Sequence, residues 1–174
     1  MCTVEGKPSR VVLGLSLILA ALAACAPARD DTLVFRFATA GWLGHKHLRE
    51  GRFEACSISK RYPTSTLVTI GLSHAFRLEL VLRNDRWRLG DGRASPVEVA
   101  VDGRPIGDVA TASSRETELV LDLGVAWETF EALQRGAVLT VGAFGTQLRF
   151  PLDESGAAMA GLLECVHRAN EAPG

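Results

Sequence analysis

The stretch FRLELVLR, residues 76–83, decides the fold class because its apolar and charged residues alternate. The apolar set is Phe76, Leu78, Leu80 and Leu82, and the charged set is Arg77, Glu79 and Arg83, with Val81 as the exception. A period of two places the two sets on opposite faces of an extended strand. Sheets with one buried and one solvated face are typically antiparallel, so an antiparallel sheet is predicted.

The same alternation recurs on both sides of this stretch. It is regular in residues 97–101 and 118–123, and weaker in several other segments. Asp91-Gly92, Asp102-Gly103 and the pair Gly142 and Gly145 supply the turn chemistry of antiparallel hairpins. The weaker segments are residues 33–37, 53–59, 67–72, 138–143 and 147–151. Together these segments predict about seven or eight strands.

Two segments change to a helical period. Ala126, Phe130 and Leu133 lie at i, i+4 and i+7, and Gly136 follows where a left-handed helix end is expected. Residues 159–166 repeat the helical spacing, and Ser155 is predicted to cap that helix. The sequence therefore predicts a single α+β, mainly β domain over residues 33–174. We expect an antiparallel sheet or sandwich with two short amphipathic helices.

The composition excludes several classes of protein. The 174 residues are 47% hydrophobic and 22% charged, which disfavours disorder, a coiled coil or a multispanning membrane protein. The chain has 19 Lys and Arg against 20 Asp and Glu, which leaves a formal charge of −1. It lacks the broad positive field that attracts a nucleic-acid backbone, so we expect no nucleic-acid partner.

The first 25 residues predict an export signal. Lys7 and Arg10 precede a weakly polar to apolar run, residues 11–24. That run is shorter than the roughly 20 residues of a membrane-spanning helix. Leu22-Ala23-Ala24-Cys25 resembles the bacterial lipobox, in which the cysteine sulfur receives a diacylglyceryl group before cleavage.

The lipobox resemblance implies that Cys25 becomes a lipid-anchored N-terminus and that residues 26–32 form a tether to a membrane. Ala26 follows the cysteine where inner-membrane lipoproteins often have Asp, which favours the outer membrane, with the domain facing the periplasm. Ordinary cleavage after Cys25-Ala26 or Pro27-Ala28 would instead give a soluble periplasmic protein.

The cysteine count predicts a disulfide in the exported domain. Cys2 leaves with the signal and Cys25 is acylated or removed, so Cys56 and Cys165 remain as an even pair. The alternative is a pair of catalytic or metal-binding thiols, but these residues have neither a CxxC spacing nor an adjacent histidine cluster.

The strongest candidate for a ligand-binding cluster in the sequence lies at residues 83–88. Arg83, Arg86 and Arg88 surround Trp87. Arginine binds phosphate or carboxylate in a bidentate fashion, and an indole stacks on a sugar face or covers a cation, so an envelope glycan is a conceivable ligand. The alternative is structural: Trp87 anchors a hairpin to the core while the arginines remain in water.

No catalytic or metal-binding motif is found. His45 and His47 would share one face if their segment were extended, but two ligands are too few for a metal site, and a solvated loop is expected there. GxSxG and HExxH are absent from the sequence. We therefore expect no metal, no cofactor and no enzymatic turnover.

The layout of the chain resembles exported proteins of the invasion-associated locus B type. The similarity lies in the strand around Cys56, the stretch Asn84-Asp85-Arg86-Trp87, the turn at Asp102-Gly103, the segment 132–141, and a last strand that leads into an alanine-rich helix at 150–166. It implies an exported, non-catalytic β-rich domain whose relatives are linked to the cell envelope, and it assigns no catalytic residue.

These observations favour a cell-envelope lipoprotein that acts as a non-enzymatic binding or structural module. Its expected partners are a membrane, through the lipid anchor, and an envelope protein or glycan. The alternative from a different class is an inhibitor or accessory subunit of an envelope hydrolase. An enzyme would be favoured only by a cleft that places Asp or Glu beside His74 or His167.

Overall fold

A computed structural model describes residues 38–39, 41–90, 92–93, 97–106, 111–125 and 127–171. It contains two antiparallel sheets and two helices, which confirms the predicted mainly β fold. Within these residues twelve strands are present, of which three have only two residues. The predicted strand at residues 33–37 lies outside the described residues, as do the signal segment, Cys25 and the tether.

The larger sheet has eight strands in the order β1-β2-β3-β4-β5-β10-β9-β6, and six of them have five residues or more. Their bounds are β1 (Ala38–Thr39), β2 (Trp42–Arg49), β3 (Arg52–Arg61), β4 (Leu67–Ser73), β5 (Leu78–Arg83), β6 (Gly92–Arg93), β9 (Thr111–Arg115) and β10 (Glu118–Gly124). All neighbouring pairs in this sheet are antiparallel.

The smaller sheet has four strands in the order β12-β11-β7-β8. Their bounds are β7 (Val97–Val101), β8 (Arg104–Pro105), β11 (Val138–Ala143) and β12 (Thr146–Pro151). Helix α1 (Trp127–Arg135) lies between β10 and β11, and helix α2 (Ser155–Glu171) ends the described chain. The two helices contact each other, and α2 also packs on β2, β3 and β4.

The alternation of the sequence corresponds to burial in the structure. In β5, Leu78, Leu80 and Leu82 are at most 1% exposed, whereas Glu79 and Arg83 are exposed. The inward residues of both sheets and of both helices form one core cluster. The charged residues of β5 are thereby left on the outer face of the larger sheet.

Phe76 departs from the prediction. It lies in the turn before β5 with φ 57° and is 37% exposed, so the strand begins at Leu78. Its ring stands 5.3 Å from that of His167 on α2. The alternation at Phe76 was therefore coincidental, because the β4–β5 turn occupies this position.

The solvated loop predicted around His45 and His47 is wrong. Residues 42–49 form β2, which pairs with β3. The positive φ values of Glu50 (53°) and Gly51 (76°) allow the tight turn between these strands. Trp42 is fully buried, and its Nε1 donates to the Asp153 carbonyl at 3.2 Å. A contact across 111 residues of sequence thus fixes a strand with little alternation of its own.

Gly136 and Ser155, which were predicted to end α1 and to cap α2, have different roles in the structure. Gly136 follows α1 but does not have a positive φ. A Cβ at this position would lie 2.0 Å from Val101 Cγ1, so glycine is required by close packing. Ser155 is the first residue of α2, but its hydroxyl donates to the Leu133 carbonyl at 2.9 Å. This hydroxyl connects the two helices instead of capping its own.

Two predicted hairpin turns are confirmed. Asp102 and Gly103 have φ values of 52° and 78° between β7 and β8, and Phe144 and Gly145 have 52° and 70° between β11 and β12. The Asp102 carboxylate also accepts from the Val138 amide at 2.9 Å. This carboxylate fixes the start of β11 beside the end of β7.

The predicted cysteine pair comes together in the structure. Cys56 of β3 and Cys165 of α2 have their Cα atoms 6.2 Å apart and their sulfur atoms bonded. This Cα separation is within the range of disulfides in proteins. Cys56 is fully buried and Cys165 is 8% exposed, so the pair joins the sheet to the last helix inside the core.

Candidate functional site

A hollow of about 490 Å³ lies on the outer face of the larger sheet, and we call it the polar trough. It is lined by charged, hydroxyl and imidazole groups from β2, β3, β4, β5 and β10 and from the turn before β5. These groups belong to His47, Arg49, Glu54, Ser57, Thr69, Ser73, Arg77, Glu79 and Asp122.

The floor of the polar trough is a row of residues that face one another across four strands. Ser57 pairs with Gly71, Gly71 with Glu79, and Glu79 with Asp122. Facing residues of antiparallel strands have Cβ atoms about 4.5–5.5 Å apart, so the carboxylates of Glu79 and Asp122 are neighbours. Gly71 has no side chain, which keeps the floor low between Ser57 and Glu79.

Polar contacts hold the walls of the polar trough. Ser57 is 5% exposed, and its hydroxyl lies 2.7 Å from His47 Nε2. Arg77 Nε donates to the Asp122 carboxylate at 3.1 Å, and Arg49 pairs with Glu54 at 2.7 Å. Two arginines are therefore engaged by acids, and Glu79 adds a further carboxylate to the lining.

The neighbouring carboxyl groups of Glu79 and Asp122 have pKa values shifted in opposite directions. Desolvation raises the pKa of Glu79, and the negative charges of Asp122, Glu118 and Glu54 raise it further. Burial also acts to raise the pKa of Asp122, but hydrogen bonds from Arg77 and the Gly124 amide, with the charge of Arg77, leave it below its ordinary value. The negative potential of the trough is thus least compensated at Glu79.

The raised pKa of Glu79 predicts how the stability of the folded protein depends on pH. Because the Glu79 pKa is raised on folding, the folded state binds more protons, and its stability should fall as the pH rises through that pKa. Glu79→Gln should remove this loss and leave the variant more stable than the wild type at pH 7. Urea unfolding at pH 4 and pH 7 measures the difference. Glu98→Gln on the outer face of the smaller sheet is the control, and an equal gain there would contradict the assignment.

One contact of the polar trough joins residue types that also occur in nucleophilic sites. A serine nucleophile needs a base that is itself oriented, and a site for the developing oxyanion. His47 Nε2 and the Ser57 hydroxyl, which lie 2.7 Å apart, provide a contact of this type. No group of three His, Cys, Asp or Glu residues suited to a metal occurs in the described part of the chain.

The predicted arginine and tryptophan cluster lies at the end of β5 and in the loop that follows it. Trp87 is half-buried, packs against the core and lines an apolar hollow with Leu89 and Phe144. Arg83 pairs with Asp85 at 3.4 Å, and Arg88 lies 3.8 Å from Glu116. The indole thus contacts the core, as the structural alternative expects, and ligand binding by this cluster stays a prediction.

The loop that carries Trp87 depends on a buried asparagine. Asn84 is 6% exposed, and its Nδ2 donates to the Thr64 carbonyl at 3.1 Å and to Thr66 Oγ1 at 3.0 Å. Its Oδ1 accepts from the Arg86 amide at 3.0 Å. One side chain therefore joins the β3–β4 turn to the loop after β5.

Asn84→Ala should lower the free energy of unfolding by about 2 kcal/mol, because it leaves buried polar partners unsatisfied. Asn170→Ala removes a single exposed hydrogen bond, to the His74 carbonyl at 3.1 Å, and should cost less than about 0.5 kcal/mol. Urea unfolding of both variants tests the difference. Equal losses would show that Asn84 has no special structural role.

Sequence reasoning missed an exposed apolar patch at the start of α1. Trp127 is 55% exposed and Val125 is 68% exposed, and they lie with Phe76 around a small apolar hollow. The Trp127 ring stacks on Phe130 at 5.0 Å. The helical pattern of residues 126–133 predicted the buried face of α1 but did not predict the exposure of Trp127.

The fold has a known structural relative. The crystal structure of invasion associated protein b from Bartonella henselae matches with a TM-score of 0.52 and 12% sequence identity, over 76% of this chain and 97% of that chain. At this identity the likeness concerns the fold, and it supports the distant resemblance in layout predicted from the sequence. No protein-family model and no curated protein matches the sequence. Neither described helix is long and apolar enough to cross a membrane.

Proposed function

We propose that this chain is an exported, lipid-anchored envelope domain that acts by binding, without enzymatic turnover, and that the polar trough is its ligand surface. Export is supported by the signal-like segment before Cys25 and by the Cys56–Cys165 pair, since structural disulfides persist in oxidising compartments. The anchor is supported by the lipobox-like residues 22–25.

The proposed ligand surface is supported by the convergence of polar groups from five strands on one exposed sheet face. Glu79, whose pKa is raised by burial and then by nearby acids, marks a place where a cationic group would be stabilised. The Ser57 and His47 side chains and the two engaged arginines add hydrogen-bonding groups around it. The ligand class that fits is a polar envelope component with an amine or guanidinium group.

The anchor is tested by intact mass and by radiolabelled palmitate incorporation in the producing cell. The wild-type chain should lose residues 1–24 and gain the mass of acyl groups, and Cys25→Ser should abolish labelling. An unprocessed, unlabelled wild-type chain in the cytosol would refute the anchor.

The ligand surface is tested by quantitative recovery of envelope components on immobilised protein. Glu79→Lys should reduce recovery of a specific component at least about tenfold, which corresponds to 1.4 kcal/mol of binding. Glu98→Lys makes the same charge reversal on the exposed face of the smaller sheet and should leave recovery unchanged. Loss with Arg83→Ala and Arg86→Ala, but not with Glu79→Lys, would move the site to the arginine loop. Recovery of one stoichiometric hydrolase whose activity falls on binding would favour the inhibitor function.

A further inference from the structure

The exposed apolar patch at the start of α1 is formed by three side chains from two parts of the chain, and we call it the Trp127 patch. Phe76 comes from the turn before β5, Val125 follows β10, and Trp127 begins α1. All three are exposed, and they surround one small apolar hollow together with the partly buried Leu163 of α2. They therefore form one surface and are not separate exposed residues.

Backbone and ring contacts hold both aromatic side chains of the Trp127 patch in place. Phe76 has φ 57°, which is uncommon for a bulky residue, and its amide donates to the Ser73 carbonyl at 2.9 Å. The Trp127 ring lies nearly parallel to that of Phe130, with an interplanar angle of 11°, and Phe130 is buried. A buried ring thus supports one face of the indole. The apolar surface is formed before any partner binds.

The exposed area of the Trp127 patch is too small for a protein interface of its own. A whole aromatic side chain offers about 150–250 Å², so the exposed fractions of the three side chains amount to roughly 300 Å². A stable protein interface takes about 800 Å² from each partner. The patch supplies less than half of that area. It suits a contact that adds to an attachment made elsewhere in the chain.

The proposed lipid anchor provides such an attachment. Cys25 precedes Ala38, where the described chain begins, by 13 positions, a distance of at most about 45 Å in a fully extended chain. This reach exceeds the width of a compact domain of this size, whose radius of gyration is about 14 Å. The anchor alone therefore does not select which face of the domain meets the bilayer, and an apolar surface can make that selection.

We propose that the Trp127 patch inserts into the interface of the membrane that carries the anchor and so fixes the orientation of the domain. An indole is favoured at that depth because its rings are apolar and its N–H still reaches water or headgroups. Arg77 of the polar trough directly follows Phe76, so the trough lies beside the inserted face. The inference rests on the lipid anchor of the proposed function.

Quenching of tryptophan fluorescence by brominated phosphatidylcholine tests this contact in the acylated protein, reconstituted in vesicles of that lipid. Trp42 is fully buried and Trp87 is half-buried, so the quenching of the wild type should come mainly from Trp127. Trp127→Phe should lower the quenched fraction at least about threefold, whereas Trp87→Phe should leave it nearly unchanged. A wild type that is quenched no more than Trp127→Phe would overturn the proposal.

A charge placed in the Trp127 patch tests the same contact while all three tryptophans remain. Val125 is 68% exposed, so Val125→Asp leaves the core intact. It should reduce the quenching at least about threefold, because a carboxylate resists transfer to an apolar environment. Phe144→Asp is the matched control: Phe144 is 52% exposed and lines a separate hollow, and its replacement should not change the quenching. Undiminished quenching in Val125→Asp would contradict insertion.

Photo-crosslinking in the producing cell distinguishes a lipid from a protein partner. Trp127→p-benzoylphenylalanine should form phospholipid adducts, identified by intact mass, and the same photoreactive residue at position 144 should form none. Adducts to another protein or to a second copy, in place of lipid, would refute the proposal. Palmitate labelling of the same preparation reports the anchor separately. Labelled protein without lipid adducts refutes the patch contact alone, whereas unlabelled protein refutes the anchor and this proposal with it.

Discussion

Replacing both Cys56 and Cys165 with alanine should lower the free energy of unfolding by about 2–5 kcal/mol. The pair closes a loop across 109 residues of sequence and joins β3 to α2 inside the core. A cross-link over such a separation restricts the unfolded chain strongly in the chain-entropy model, which gives about 4–5 kcal/mol for a loop of roughly 110 residues. Urea unfolding of the oxidised wild type and the double variant measures the effect.

A reductant serves as the internal control for this prediction. It should reduce the stability of the wild type toward that of the double variant and should leave the variant unchanged. After reduction, the intact mass of the wild-type domain should increase by about 2 Da, as expected for one intramolecular disulfide. If both cysteines of the purified native protein react with an alkylating reagent before reduction, the predicted bond is absent.

Gly136→Ala should lower the free energy of unfolding by about 3 kcal/mol, the upper part of the range for overpacking. The added Cβ would lie 2.0 Å from Val101 Cγ1 and 2.7 Å from the Ala132 carbonyl oxygen. Val101 is buried and β-branched, so its side chain has few alternative rotamers. Alanine in place of glycine otherwise stabilises by restricting the unfolded chain, so the loss would come from this contact.

Gly142→Ala is the matched control for this substitution. Its Cβ would meet Glu98 Cβ at 3.6 Å, an ordinary contact, and its stability should remain within about 0.5 kcal/mol of the wild type. Val101→Ala combined with Gly136→Ala should recover part of the loss, since one of the two clashing atoms is removed. Equal stability of the two glycine variants would show that the chain relaxes around residue 136 at little cost.

Local sequence patterns predicted only part of the polar trough. The alternation in residues 76–83 and 118–123 placed Glu79 and Asp122 on the outward faces of their strands. It could not show that these strands are neighbours, because they are separated by 34 residues of sequence that include β6 and β9 of the same sheet and β7 and β8 of the other. The pairing of Glu79 with Asp122 is a property of sheet order.

Strand β2 is a second feature that local sequence patterns did not predict. Its residues include glycine, lysine and two histidines, so they show no apolar alternation, and the segment was expected to be a loop. Pairing with β3 and burial of Trp42 supply the stabilisation that local preference lacks. This strand then brings His47 to Ser57 and completes one wall of the trough.

The sequence by itself determined the antiparallel, mainly β class, two helical segments, two hairpin turns, at Asp102-Gly103 and between Gly142 and Gly145, and which strand residues face water. These features depend on the period of apolar residues and on backbone angles, both of which are local. Only the tertiary structure decided the order of strands, the contact that requires Gly136 to be glycine, and the convergence of Glu79, Asp122, His47 and Ser57. Those features depend on contacts between segments far apart in the chain, which local patterns do not encode.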